Sequence, residues 1–215
     1  MNRTLLVSGI LVGLFASGGC GRSPQAAPVD PSVPPTVSQA PVVVDPRVGQ
    51  PLTDDTPFGS PPKWVFQAQG GWSVDRMDGD TSQMTQVATG CHLTLQVRAR
   101  SGQETDQQAS TDAVAQLIGE VRGQFAEVSE VSRASLILRT LPTSKDPNTG
   151  IEFLRSQVDY DHATEPKEWS VVLGARAFVG DRVTLVLGYS CPRNQMGSRR
   201  EVDRLLTATA RINSE

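Results

Sequence analysis

The stretch CHLTLQVRAR, Cys91 to Arg100, alternates apolar and polar residues without a break. Cys91, Leu93, Leu95, Val97 and Ala99 fall on one side of an extended chain; His92, Thr94, Gln96, Arg98 and Arg100 fall on the other. A period of two predicts a strand with one buried and one wet face, as in an antiparallel sheet. The next segment supplies a cover. Across roughly Asp106 to Glu127, the positions Val114, Leu117, Ile118, Val121, Phe125 and Val128 recur at three- and four-residue spacing. That is the stripe of an amphipathic helix, and Thr105 with Gln108 has the spacing to cap its start.

The pattern extends in both directions. Upstream, Lys63–Gln67 and Trp72–Asp75 are short strand candidates flanking Gly70 and Gly71. Downstream, Ala134–Leu141, Ile151–Tyr160, Trp169–Val179 and Val183–Cys191 read as four strands, with Gly180 and Asp181 as a two-residue turn between the last two. Ser198 and Glu201 match a capping box opening a helix with Val202, Leu205, Leu206 and Ala210 on one side. The expected fold is α+β, an antiparallel sheet packed against helices over residues 63–215.

The amino terminus has another character. Thr4 to Phe15 is apolar and uncharged, follows one positive charge at Arg3, and is too short to span a bilayer as a helix. Ala16 to Gly19 are small residues, and Cys20 follows directly. Such a run, ending on Gly18, Gly19 and Cys20, resembles the lipobox of bacterial lipoproteins, with Ser17 where that family usually has Leu. The resemblance implies a signal peptide over residues 1–19 and a Cys20 thiol carrying diacylglycerol. It places the protein outside the cytoplasm, lipid-anchored to a bacterial cell membrane. A plain secretory signal with an incidental cysteine is the alternative.

Eleven of the fifteen prolines lie between residues 21 and 62. Proline removes backbone donors, and the small polar residues between offer little apolar area to offset ordering entropy. Residues 20–62 are therefore expected to be a disordered, extended tether, at most ~130 Å long. Ser60 and Lys63 have Ser-x-x-Lys spacing, but two intervening prolines forbid the helix that this motif needs.

The order of elements resembles the PsbP-like superfamily and the LpqN-like lipoproteins, and this likeness implies an α/β/α sandwich. The residues that carry it are Gly71–Val74, the helix after the alternating strand, the hairpin through Gly180 and Asp181, and Tyr189–Pro192 leading into Glu201–Leu206. Members act mostly as binding partners and assembly factors, so the resemblance implies no catalytic residues and no cofactor.

With Cys20 assigned to lipid, Cys91 and Cys191 remain as an even pair in an oxidising compartment. Cys91 begins its strand and Cys191 ends its own, each on the apolar face, so both belong at one end of an antiparallel sheet. A disulfide is expected, with two buried free thiols as the alternative.

Histidine chemistry has little to work with. His92 lies on the polar face of its strand, and His162 follows Asp159 and Asp161 with poor ligand parity, so the two are expected on opposite surfaces. Asp146 to Gly150 begins like a calcium loop but lacks the later acidic ligands. Gly188 to Pro192 has proline where a nucleophile elbow needs glycine. Trp64, Trp72 and Trp169 adjoin strands and are expected to pack there. The net charge of −3 gives no basis for nucleic-acid binding. The expectation is a non-enzymatic module that binds an envelope protein partner, or a carrier of a small apolar ligand or lipid. An internal pocket would favour the carrier and a filled core the module.

Overall fold

The computed structural model describes residues 49–67, 69–142 and 149–213. The expectations for Cys20 and for the loop through Asp146 lie outside the described residues.

Nine strands form one sheet in the order β1-β9-β5-β6-β7-β8-β4-β3-β2. They are β1 (Lys63–Phe66), β2 (Trp72–Asp78), β3 (Thr81–Gln86), β4 (Cys91–Ala99), β5 (Ala126–Thr140), β6 (Gly150–Asp161), β7 (Glu168–Phe178), β8 (Val183–Pro192) and β9 (Ala210–Asn213). All neighbours run antiparallel except β5 and β9, which pair in parallel at Arg139 and Thr140. Two helices complete the domain, α1 (Asp106–Gln124) and α2 (Arg199–Thr209). The α+β expectation holds.

The central strands are buried on both sides. On β8, Leu185, Leu187, Tyr189 and Cys191 face the core under α2, where Val202 and Leu206 pack. Val186 points the other way, into a second cluster beneath Val114, Leu117 and Ile118 of α1. Truncating one of these fully buried side chains to alanine costs about 2–5 kcal/mol. Gly174 on β7 marks a close approach of two central strands, since a Cβ there would stand 2.9 Å from the Leu187 side chain.

Both helix starts follow the sequence. The Thr105 side chain accepts from the Gln108 N–H, and Ser198 and Glu201 form the complete reciprocal box. The polar face of β4 lies beside α1, where Arg98 forks onto both oxygens of Glu120 at 3.0 and 3.1 Å. The cysteine expectation is met as well. The β4–β8 register sets Cys91 beside Cys191, with Cα atoms 4.3 Å apart, and they are bonded. A link across 100 residues of chain constrains the unfolded state by up to about 4–5 kcal/mol.

Several expectations are corrected. β1 and β2 flank the glycine pair but stand at opposite ends of the strand order. The sheet curls enough that Phe66 and Trp72 still touch, their rings 6.0 Å apart. The polar strand β3 and the terminal strand β9 carry too little alternation to be read from sequence. α1 stops at Gln124, so Val128 belongs to β5, which begins eight residues earlier than its apolar pattern. The first part of β5 pairs only with β6 and is bulged twice, so its outer side is free and polar residues suffice there. The β7–β8 turn has four residues, Val179 to Arg182, with Arg182 at φ 58°.

The largest correction concerns the tether. Residues 49–58 are a strap packed on the domain. β6 and β7 pair only as far as Leu154 and Ala175, and the strap enters where they part. Gln50 bridges Ile151 in parallel, and the Glu152 N–H donates to the Gln50 carbonyl at 3.0 Å. The Arg176 guanidinium, with no exposed surface, donates to the carbonyls of Pro51 and Asp54 at 3.0 and 2.8 Å and pairs with buried Asp106 at 3.2 Å. Asp106 also accepts the Val179 N–H at 2.7 Å, while its own N–H donates to Asp55 of the strap. Phe58 closes the seam against Phe178, ring centroids 5.3 Å apart. Burial pushes the Asp106 carboxyl up and Arg176 down; their mutual attraction opposes both shifts.

Removing one member of such a pair strands the other, at about 3–5 kcal/mol. Arg176→Met should therefore lower unfolding free energy by that much in urea titrations. Adding Asp106→Asn, which keeps the acceptor for Val179 but removes the stranded charge, should recover part of the loss. A double variant less stable than Arg176→Met alone would contradict the assignment.

Candidate functional site

The meander brings the start of β4, the end of β6 and the start of β7 to one end of the sheet. Three aromatic-type side chains meet there on the α1 side. The Trp169 ring has His92 near-parallel to it at 6.2 Å and His162 tilted at 6.1 Å on a second contact. Phe125, the residue that caps α1, continues the row at 5.6 Å from His162 and 4.4 Å from Tyr160. The expectation that the histidines occupy opposite surfaces is thus overturned. Strand parity is a local quantity. It cannot reveal that register carries His92 through Ser190 to Val171, two residues from Trp169.

Each imidazole is oriented by its neighbours. The Thr85 hydroxyl donates its one hydrogen to Asp75 at 2.5 Å, so at 2.9 Å it can only accept from His92 Nδ1–H. His162 is the reverse. Its Nδ1 accepts the Thr164 backbone N–H at 3.2 Å, which puts the neutral ring's proton on Nε2. The rings share Trp169 as neighbour but do not form a hydrogen-bonded pair. The acids near them are engaged: Asp159 with Ser170 and Arg193, Asp161 with Lys167. Among the described residues no three His, Cys, Asp or Glu side chains converge as a metal site. Burial pushes the Tyr160 hydroxyl up to about 12, so it stays protonated.

Beside this row lies an open groove of about 720 Å³, lined by Phe125, Glu127, Asp161, His162, Glu165 and Lys167 among others. A smaller groove of about 480 Å³ lies between Arg100 and Arg182. Trp64 and Trp72 are packing residues as expected. Trp64 lies 5.6 Å from Phe153 and donates to the Gln96 carbonyl, and Trp72 meets Phe66. Trp169 differs in standing between the two histidines in the aromatic row. Glu127 and Glu165 had no sequence signal, since one sits in the turn from helix to strand and the other in a polar loop.

This is an α+β domain with a strapped, curled sheet and an aromatic groove at one end. No protein-family model matches the sequence, and no curated protein does. Among solved structures, LpqN, involved in cell envelope biogenesis of Mycobacterium tuberculosis, is similar over 70% of this chain and 83% of its own, with 7% identity and a TM-score of 0.46. The Ran-binding protein Mog1p of Saccharomyces cerevisiae is similar over 68% and 83%, with 9% identity and a TM-score of 0.39. Likenesses this loose assign no role.

Desolvation holds His92 below the usual histidine pKa, with Asp75 acting the other way. The native state then binds its proton less readily than the unfolded chain does. Stability from this group is full above about pH 6.5 and is lost as pH falls through the lowered value. Thermal melting between pH 7 and 5 should decline more steeply for the wild type than for His92→Gln. Parallel declines would show that His92 does not carry the effect.

Proposed function

We propose that the protein is a lipoprotein of the bacterial cell envelope, held to the membrane through Cys20 and acting as a non-enzymatic binding or assembly module. The observation that carries this reading is the Cys91–Cys191 disulfide, closed across adjacent strands inside the core. A structural bond of that kind belongs to an oxidising compartment. With the apolar leader and Cys20, it supports an extracytoplasmic, membrane-anchored address.

The filled interior supports a module over a carrier. Both layers between sheet and helices are occupied by buried side chains, and the two grooves described above open at the surface. The strap shortens the tether to residues 20–48, a reach of at most ~90 Å for an extended proline-rich chain. The strap joins at the start of β6 and the aromatic groove lies at its end, roughly 36 Å away at strand rise. The groove therefore lies at the far end of β6 from the strap. A tethered module searches for its partner at high effective concentration.

A fatty-acid probe fed to cells should label the wild type and not Cys20→Ala; equal labelling would remove the anchor from the account. Deleting residues 24–48 should leave a folded, labelled protein with impaired cellular function where the partner lies far from the membrane. Deleting 49–58 should unfold it.

A further inference from the structure

We infer that the groove beside Phe125 and His162 receives a cationic side chain, arginine or lysine, presented by a protein partner. This rests on the reading of the domain as a binding module and names the chemistry that module recognises.

Charge is the first observation. The lining holds the carboxylates of Glu127, Asp161 and Glu165 against one cation, Lys167, leaving an excess of two negative charges. Lys167 is already bound, its ammonium to Asp161 at 3.2 Å and its backbone N–H to Glu165 at 3.1 Å. Arg193, the nearby cation on the other side of Trp169, is held by Asp159 and Glu168. Glu127 alone among these acids has no hydrogen bond or ion pair within the described residues.

Backbone is the second. Glu127 has φ 50°, in the left-handed region. A glycine would adopt this conformation freely, whereas a residue with a Cβ pays about 1–2 kcal/mol. The turn from α1 to β5 thus holds, in the groove lining, an exposed carboxylate without a partner among the described residues, on a backbone of the kind found at functional sites.

Aromatic faces are the third. Phe125 and His162 form one wall, with Tyr160 and Trp169 behind them. Aromatic faces attract cations, and carboxylates in the same lining supply charge-assisted hydrogen bonds to a guanidinium or ammonium group. The His162 ring, its Nδ1 occupied by the Thr164 N–H, adds a face to that wall.

Shape selects the occupant. The groove is open along one side, so a small free amine would remain largely in water there. A side chain delivered by a protein brings neighbouring surface to close that side.

The test is NMR titration of the full-length protein in detergent micelles with a capped Gly-Arg-Gly peptide. Its citrulline counterpart, which keeps the shape without the charge, and spermidine serve as comparisons. The arginine peptide should shift the Trp169 indole and the Phe125 and His162 amides saturably, binding at least about tenfold more tightly than the citrulline peptide. Glu127→Gln should abolish that advantage. Glu127→Gly should abolish it too while keeping or raising thermal stability, which separates lost binding from lost fold. Equal binding of the two peptides, or an advantage that survives both variants, would overturn the inference. So would spermidine binding more tightly than the arginine peptide, since the occupant would then be a small amine. The tether deletion is read independently of this titration, so either idea can fail without the other.

Discussion

A guanidinium with no exposed surface has to be answered by fixed acceptors, and Arg176 finds three: Asp106 and the carbonyls of Pro51 and Asp54. This constraint ties together segments far apart in sequence: the strap, the first residue of α1 and the end of β7. Asp106 extends the tie to the β7–β8 turn through Val179. Ser110, one helical turn on, gives Ala177 its acceptor. β7 has left β6 by this point, so its backbone donors would otherwise lack partners. An apolar cluster of similar volume need be no less stable than a buried ion pair. What the charges add is direction, because the strap has to bring the Pro51 and Asp54 carbonyls to the guanidinium.

That constraint also explains what could be read in the sequence. The alternation at Cys91–Arg100, the helix stripe, the capping box at Ser198 and the cysteine pair are periodic or paired signals, and they survive in the structure. The strap gives no such signal. Its prolines and small polar residues have the composition of a disordered tether, and the partners that order it lie about fifty to 125 residues away. β3 and the first part of β5 lie towards solvent and need no alternating apolar side. β9 is a four-residue continuation of a helix, distinguishable only by the neighbours β1 and β5.

The candidate site was half legible for a related reason. Trp169, His92 and His162 stood out as residue types, but their meeting depends on the register of three strands. Phe125 read as one position within a helix stripe that ran on to Val128, and it joins the groove lining because the helix stops at Gln124. Glu127 stands out only through its backbone angle and its lack of a partner among the described residues. The strap and the aromatic groove stand at opposite ends of β6. The disulfide at the groove end and the strap at the other restrain both ends of the sheet.

Native-state hydrogen exchange on the full-length protein tests the strap's place in the fold most directly. If Arg176 makes it part of the core, the Gln50, Glu152 and Val179 amides should open with the same free energy as the amide of Leu187, deep in β8. Rapid exchange of Gln50 and Glu152 while Leu187 stays protected would make the strap a loosely held tail, and the account built on Arg176 would be wrong.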